Sequence, residues 1–201
     1  MNDIAKHYDI LIDLNNDPVH DPEPLRAYMD KWDGQEFIDK LHLDETKSVL
    51  EIGVGTGRLA VRVASFCNRF TGVDLSAKTI ERAKENMKSF QNAVLICDDF
   101  LEIDFQERFD VIYSSLTFMH IKEKQKAVCK VFDLLNKDGI FALSVDKNRN
   151  DIIDIGESVI SVFPDNPDEI KCCIENAGLI LTEMYETEFA HIFIAKKEDI
   201  I

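Results

Sequence analysis

Two hydrophobic patterns alternate along most of this chain. From residue 48 onward, short apolar runs are followed by segments in which apolar residues recur every three to four positions. The first pattern is typical of buried strands and the second of helices that bury one face, so their alternation predicts βα repeats and a parallel sheet. The predicted strands lie at about 48–52, 70–73, 93–97, 109–113 and 140–145, and the helices at about 57–66, 77–89 and 122–135.

The last part of the chain follows a different pattern. Asn136-Lys137-Asp138-Gly139 predicts the end of the preceding helix, and a later helix is expected from Pro167 to Gly178. Two apolar runs, 179–185 and 189–195, then follow with a connector of about three residues, which permits only an antiparallel hairpin. We therefore predict an α/β three-layer sandwich, with a mostly parallel seven-stranded sheet that ends in an antiparallel hairpin.

Residues 1–45 precede the repeats and are predicted to be a helical segment, punctuated by Asp21-Pro22-Glu23-Pro24. Leu25, Tyr28, Met29 and Trp32 recur at i, i+3, i+4 and i+7, the spacing of one helix face, and we expect this face to pack into the core. At 201 residues the chain is expected to form a single domain, with 1–45 as a cap and 46–201 as the core.

The first predicted strand ends in a glycine-rich turn. Glu51 is followed by glycines at 53, 55 and 57, and a backbone without Cβ atoms can approach a ligand closely. Ligands of open α/β sheets bind at such carboxyl ends of strands. A dinucleotide site requires glycine at the sixth position of G-x-G-x-x-G, where this chain has Arg58. A dinucleotide oxidoreductase is therefore disfavoured.

The acid followed by three alternating glycines resembles the first motif of the class I S-adenosylmethionine-dependent methyltransferases. The closing hairpin is similar to the end of their sheet, and the resemblance covers about residues 45–197. It implies S-adenosylmethionine as the cofactor, with no metal. The cofactor-binding residues expected from the resemblance are Glu51, Gly53, Val54, Gly55, Gly57, Asp74, Leu75, Asp98, Asp99, Phe100, Ser114 and Ser115.

Two acidic strand ends have distinct expected roles. Asp74 ends the second strand, about 20 residues past the glycines, where a carboxylate can accept hydrogen bonds from ribose hydroxyls. A carboxylate at that position binds the ribose of NAD equally well, so Asp74 does not distinguish between the two cofactors. By the resemblance, Asp98 would bind the adenine amino group, and the next residue would supply a backbone amide. Both acids have the alternative interpretation of loop carboxylates in water.

Few residues indicate how an acceptor would be bound. The fourth strand leads to His120, which either deprotonates an acceptor as a catalytic base or is a structural residue at the start of a helix. Methyltransferases of this type often close an N-terminal segment over the site, which makes Tyr8, Tyr28 and Trp32 candidates for substrate binding, alongside His120. The tetrapeptide of amino-group nucleic-acid methyltransferases is absent, since Ser115-Leu116-Thr117-Phe118 stands in its place.

The composition limits the kinds of partner and the cellular compartment that we expect for this protein. The net charge of -15 argues against a broad phosphate-binding face, so nucleic acid is an improbable partner and a small-molecule acceptor is expected. Five cysteines without a C-x-x-C pair favour a reducing, cytoplasmic compartment. No apolar run is long enough to span a membrane, and no cluster has the spacing of metal ligands. The open alternatives are a non-catalytic S-adenosylmethionine-binding protein and a protein or RNA methyltransferase.

Overall fold

Seven strands form the central sheet in the computed structural model, which describes residues 3–198. Their order is β3-β2-β1-β4-β5-β9-β8, and β9 is antiparallel to both of its neighbours while the other pairs are parallel. The strands are β1 (Ser48–Ile52), β2 (Arg69–Asp74), β3 (Ala93–Cys97), β4 (Phe109–Ser115), β5 (Leu135–Asp146), β8 (Ile180–Glu186) and β9 (Ala190–Lys196), with β6 (Ile152–Asp154) and β7 (Val159–Ser161) in a separate small hairpin. The predicted mostly parallel sheet with an antiparallel end is confirmed.

Helices cover both faces of the sheet. They are α1 (Asp3–Asp13), α2 (Glu23–Met29), α3 (Gly34–Asp39), α4 (Ala60–Val63), α5 (Ala77–Asn86), α6 (Lys124–Leu134) and α7 (Pro167–Asn176). Several begin at side-chain caps: the Ser76 hydroxyl accepts the Thr79 amide at 3.1 Å, and Asn166 caps α7 in the same manner. None of the helices within residues 3–198 is long and apolar enough to cross a membrane.

Two apolar clusters fill the space between the helices and the sheet. One contains Phe37 and Leu41 from the N-terminal segment together with Phe70 and Tyr113 from the strands. The other is built around α6, α7 and the opposite faces of β4 and β5. Successive side chains of a strand point to opposite faces of the sheet, so each face carries one apolar cluster. Helices pack on both clusters, which gives the three layers.

The strand order places the binding crevice. The strand order reverses at β1, because the chain adds β2 and β3 on one side of it and then β4 and β5 on the other side. Loops that follow β1 and β4 therefore diverge, and a crevice forms at the carboxyl ends of these strands. The glycine-rich turn, Asp74 and the segment before His120 all lie at this edge.

Several predicted boundaries differ from the structure. The helix expected at 57–66 is the short α4 followed by a 3₁₀ turn, Ala64–Phe66, and α5 ends before residue 89. The segment 136–139 does not stop a helix, because β5 already begins at Leu135 and Asp138, with φ 59°, supplies the left-handed residue. The β6–β7 hairpin was not predicted, since its strands have three residues each and show too short an alternation.

Only part of the predicted core stripe in the N-terminal segment is buried: Trp32 packs against the core and Met29 lines the cavity, while the other two residues are exposed. Helix α2 ends at Met29, so Trp32 lies beyond it, and Leu25 and Tyr28 are 50% and 48% exposed. The correct core contribution comes from α3 and the turn after it, where Phe37 and Leu41 are fully buried. Helical spacing shows that a helix has an apolar face, but contacts with neighbouring elements decide whether that face is buried in the core.

Candidate active site

A cavity of about 810 Å³ lies at the carboxyl ends of β1, β2 and β4. Helix α1 covers it, and Ile4, Tyr8, Leu11 and Ile12 form one wall at i, i+4, i+7 and i+8. Pockets of this size suit drug-sized molecules and cofactors. The cavity therefore combines the glycine-rich turn with the N-terminal segment in one site.

Backbone geometry shapes the floor of the cavity at the glycine-rich turn. The amides of Gly53 and Val54 both donate to the Val73 carbonyl, at 2.9 and 3.1 Å, so the turn is anchored to β2. Gly53 has φ +76°, and a Cβ placed on it would lie 1.9 Å from the Thr117 Oγ1 atom. At Gly55, with φ +56°, a Cβ would meet nothing within 4 Å. One glycine is thus required by packing, while the other faces open space.

Asp74 is held by backbone amides at the end of β2. Its Oδ2 atom accepts the Gly55 amide and its Oδ1 atom accepts the Ser76 amide, each at 3.0 Å. Burial raises the pKa of this carboxyl, although the amides of Ser76, Gly55 and Leu75 oppose that change. Each carboxylate oxygen retains capacity for another hydrogen bond, as ribose hydroxyls would require.

Glu51 is a buried carboxyl in the cavity wall. The Tyr113 hydroxyl donates to its Oε2 atom at 2.7 Å, and burial raises the pKa of Glu51 to about 8. The charge of Arg58 opposes that rise. A carboxyl in this position is stabilised in its charged form by a nearby cation, so the wall favours a positively charged ligand group.

Arg58 links the glycine-rich turn to the N-terminal segment. Its guanidinium donates to both oxygens of Asp33, with 3.0 Å between Nη1 and Oδ1. Asp33 is buried and also accepts the Ser115 hydroxyl at 2.7 Å and the Gly34 amide at 2.6 Å. The residue that replaces a dinucleotide glycine is therefore a structural bridge, as well as part of the cavity wall.

Tyr8 and His120 form a hydrogen-bonded pair in the opposite wall. The Tyr8 hydroxyl lies 2.7 Å from the His120 Nε2 atom, and the two rings are perpendicular with centroids 5.4 Å apart. Burial lowers the pKa of His120 to about 4 and raises the pKa of Tyr8 well above its usual value. Both groups are therefore uncharged at neutral pH.

Most of the residues predicted for the site contact this cavity. Its wall includes Tyr8, Glu51, Gly53, Val54, Gly55, Asp74, Leu75, Asp99, Phe100, Ser115 and His120. The structure places five predicted residues outside the wall: Tyr28, Trp32, Gly57, Asp98 and Ser114.

Local contacts explain three of these exceptions. The Asp98 carboxylate accepts the Asp99 amide at 2.8 Å. The carboxylate and the amide that were expected to bind adenine therefore bind each other. Gly57, with φ +99°, approaches Met87, the residue just after α5, and its amide donates to the Val54 carbonyl within the turn. The buried Ser114 hydroxyl donates to the Ile52 carbonyl at 2.8 Å, because its side chain points into the sheet.

The aromatic residues of the α2 segment also lie elsewhere. Tyr28 and Trp32 pack against Phe189, with ring centroids 5.5 and 4.7 Å apart. Since Phe189 immediately precedes β9, this contact attaches the N-terminal segment to the antiparallel edge of the sheet. Neither ring is among the residues that line the cavity, so their expected role in acceptor binding stays a prediction.

Several cavity residues were missed from the sequence. The spacing of Ile4, Leu11 and Ile12 could have revealed the inner face of α1. Asp33 lies behind the cavity wall, where it binds Arg58 and Ser115, and it gave no signal because Arg58 is 25 residues away and the pairing depends on the fold. Leu116 adopts φ 56° in the cavity wall, a conformation that no local pattern predicted.

Comparisons with known proteins identify the family. The family described as "Methyltransferase domain" matches residues 43–189. An uncharacterized methyltransferase of Bacillus licheniformis is 39% identical over 164 residues, covering 78% of this chain and 68% of the relative. A malonyl-[acyl-carrier protein] O-methyltransferase of Priestia megaterium is 28% identical over 148 residues, covering 71% of this chain and 48% of the relative.

The fold comparison agrees. The N-methyltransferase NodS of Bradyrhizobium japonicum, in complex with S-adenosyl-L-homocysteine, superposes with a TM-score of 0.73 at 15% identity, covering 98% of this chain and 100% of NodS. The chain spans about half to two thirds of the length of the curated relatives described above. From the matched domain and the shared sheet topology, we conclude that the chain belongs to the class I S-adenosylmethionine-dependent methyltransferases.

Proposed function

We propose that this protein transfers the methyl group of S-adenosylmethionine to a small-molecule acceptor. One observation carries the proposal: the cavity brings Asp74, the glycine-rich turn and the buried Glu51 to one wall of a space of about 810 Å³. A catalytic methyltransferase needs such a cavity to hold donor and acceptor together. Family membership supports the choice of donor.

The residues present fit this cofactor. Asp74 offers two carboxylate oxygens for ribose hydroxyls, and the side chains of Leu75, Phe100 and Leu101 provide an apolar wall beside it for a base. Glu51 lies in the same wall and favours a cation, which the ammonium of the methionine moiety supplies. The open space at Gly55 permits the backbone to contact the ligand directly.

The protein's contribution to the reaction is mainly positional. When bound, S-adenosylmethionine supplies an already electrophilic methyl group. The cavity walls orient the acceptor and exclude water, and such orientation supplies up to about 7–11 kcal/mol of a reaction barrier. Helix α1 contributes four side chains to these walls.

The first test is ligand stabilisation. S-adenosylhomocysteine at about 100 times its Kd should raise the free energy of unfolding by roughly 2.7 kcal/mol, because it binds only the folded state. Urea unfolding with and without the ligand measures this change, and NAD at the same concentration is the control. Stabilisation by NAD, without any by S-adenosylhomocysteine, would refute the proposal.

The second test concerns Asp74. Asp74→Asn should weaken S-adenosylhomocysteine binding by about 10- to 150-fold, since hydrogen bonds to a charged group contribute about 1.5–3 kcal/mol. Asp98→Asn is the matched control, because that neighbouring carboxylate binds the Asp99 amide outside the cavity wall. Titration calorimetry gives both affinities. Equal affinities for the two variants would show that Asp74 does not contact the cofactor.

The acceptor class follows from charge and the size of the cavity. A net charge of -15 opposes association with acidic partners, including nucleic acids and acidic carrier proteins. The name of the Priestia megaterium relative specifies an acyl-carrier protein as its acceptor, which is the alternative for this chain. We therefore infer a free small molecule, and a turnover assay with S-adenosylmethionine and purified acyl-carrier protein tests the distinction, transfer to the carrier protein being the contrary result.

A further inference from the structure

The Tyr8–His120 pair has a geometry that bears on the acceptor. Both residues line the cavity, yet neither nitrogen of His120 is open to it. Nε2 is occupied by the Tyr8 hydroxyl at 2.7 Å, and Nδ1 is buried with no hydrogen-bond partner among the described residues. The imidazole therefore communicates with the cavity through the phenol of Tyr8.

The direction of the hydrogen bond follows from the acidities of the two groups. A phenol is a stronger acid than a neutral imidazole N–H, and an imidazole lone pair is a good acceptor, so we assign the Tyr8 hydroxyl as the donor. His120 is then the tautomer with its proton on Nδ1. The Tyr8 oxygen keeps lone pairs that can accept one further hydrogen bond from a group in the cavity.

The turn that carries His120 is held firmly. The Lys124 ammonium donates to the carbonyls of Phe118 and Phe163, each at 2.9 Å, and pairs with the buried Asp165 carboxylate at 2.6 Å. These contacts connect the two segments that enclose the histidine. The turn is therefore fixed before any ligand binds, which preorganises the position of His120.

Hydrogen bonds of the residues on either side of Tyr8 fix its position in α1. The Ser76 hydroxyl donates to Asp9 at 2.6 Å, and His7 and the Ser158 hydroxyl share a hydrogen bond of 3.0 Å. His7 and Asp9 flank Tyr8, so α1 is attached on both sides of the phenol. Both members of the Tyr8–His120 pair are thus held in place by contacts with other parts of the fold.

The charges around the cavity disfavour an anionic acceptor. Its wall contains two basic residues, Arg58 and Lys122. The guanidinium of Arg58 is committed to Asp33, and Lys122 is exposed at the rim beside Glu123. The acidic residues of the wall are Asp21, Glu51, Asp74, Asp99 and Glu123, and Glu51 is uncharged at neutral pH because burial raises its pKa to about 8. Among the described lining residues, an anionic acceptor would find Lys122 at the exposed rim as the one cation outside an ion pair, while acidic residues outnumber basic ones.

We propose, on the basis of the methyl transfer inferred above, that Tyr8 and His120 form a proton relay and that the acceptor is an uncharged hydroxyl or amine rather than a carboxylate. As the bond from the acceptor atom to the methyl carbon forms and the sulfur–methyl bond breaks, the acceptor proton passes to the Tyr8 oxygen. The original Tyr8 proton passes to His120 Nε2. The positive charge of the sulfonium thereby ends on the imidazolium. After the product leaves, the proton returns through the Tyr8 hydroxyl to water in the cavity, because Nδ1 is buried.

The low pKa of His120 agrees with this scheme in two respects. Burial is the main cause, and the charges of His7 and Lys124 act in the same direction. At neutral pH the histidine is therefore uncharged, and its Nε2 lone pair accepts the hydrogen bond of the Tyr8 hydroxyl. An uncharged histidine also provides no ion pair for a carboxylate.

Kinetics test the relay. Radiolabelled S-adenosylmethionine is offered with matched acceptors, decanol against decanoate and phenol against benzoate, and with decylamine. We expect transfer only to the hydroxyl and amine compounds. Tyr8→Phe and His120→Gln should each lower kcat by about 10²- to 10⁴-fold, the usual contribution of a proton-transfer group, with an unchanged KM for S-adenosylmethionine. The double variant should lose little more than either single one.

The control is Tyr185→Phe, because the buried Tyr185 hydroxyl has no hydrogen-bond partner among residues 3–198 and lies outside the cavity wall. Its kcat should equal that of the unmodified protein. Methylation of the carboxylates at a comparable rate, or full activity of Tyr8→Phe, would overturn the proposal. S-adenosylhomocysteine binding is measured for every variant, so a failure of the proposed function is recognised separately as absence of binding.

A measurement without turnover decides the case in which no acceptor of the panel reacts. Nitrogen-15 spectra of histidine-labelled protein at pH 7, with His120→Gln used for assignment, report which ring nitrogen carries the proton. We expect the proton on Nδ1 of His120, with loss of this preference in Tyr8→Phe. A proton on Nε2 would overturn the relay.

Discussion

Gly53→Ala is expected to lower the free energy of unfolding by about 2–5 kcal/mol. The left-handed conformation costs an alanine roughly 1–2 kcal/mol, and overpacking costs typically about 1–3 kcal/mol more. Overpacking arises because the added Cβ would lie 1.9, 2.5 and 2.7 Å from three side-chain atoms of Thr117. Thr117 cannot turn aside, since both of its γ atoms and its Cβ are in conflict.

The matched control for Gly53 is Gly156→Ala. Gly156 has φ +80°, close to the +76° of Gly53, but its added Cβ would meet nothing within 4 Å. Its loss should be about 1–2 kcal/mol, from conformation alone. Urea unfolding measures both variants, and Thr117→Gly added to Gly53→Ala should recover part of the difference. Equal losses for the two alanines would mean that the contact with Thr117 has no cost.

Asp33→Ala is expected to destabilise the protein by about 3–5 kcal/mol, the usual cost of breaking a buried ion pair from one side. Asp33 is 2% exposed and binds the Arg58 guanidinium, which would be left without its main counter-charge. The Ser115 hydroxyl would lose its acceptor as well. Because Arg58 also belongs to the cavity wall, S-adenosylhomocysteine affinity should fall in parallel.

Two comparisons isolate this effect in urea unfolding. Asp30→Ala removes a carboxylate that pairs with Arg62 at 2.8 Å and more distantly, at 3.7 Å, with Arg58. Because this carboxylate is 39% exposed, its cost should be only about 0–1 kcal/mol. Asp33→Ala combined with Arg58→Met should be more stable than Asp33→Ala alone, since the double variant no longer buries an unpaired charge. If Asp30→Ala and Asp33→Ala cost the same, the buried pair is not what attaches the N-terminal segment.

The sequence predicted the parts of the site that depend on local conformation. Glycines at 53 and 55 identified the turn because positive φ angles, +76° and +56° here, restrict the choice of residue. Asp74 was predicted from its place at a strand end, and it lies in the cavity wall with its oxygens on the amides of that edge. Asp98 has the same local pattern, yet its carboxylate turns back onto its own loop.

The N-terminal segment shows where such prediction fails. The helical spacing of Leu25, Tyr28 and Trp32 indicated a buried face, but only Trp32 packs against the core, and the other two side chains are about half exposed. The face of α1 that does cover the cavity has the same kind of spacing, with Tyr8 in its middle. Periodicity describes one element at a time, whereas burial depends on which other element it meets.

What the sequence by itself determined is the sheet, its antiparallel end and the glycine-rich turn, because alternation, connector length and glycine positions act over short distances along the chain. What only the tertiary structure decided is the pairing of groups remote in the chain. His120 lies 112 residues from Tyr8, and Arg58 lies 25 residues from Asp33. Those pairs form because packing brings their elements together, and a hydrogen bond between two buried polar groups offsets part of the cost of removing them from water.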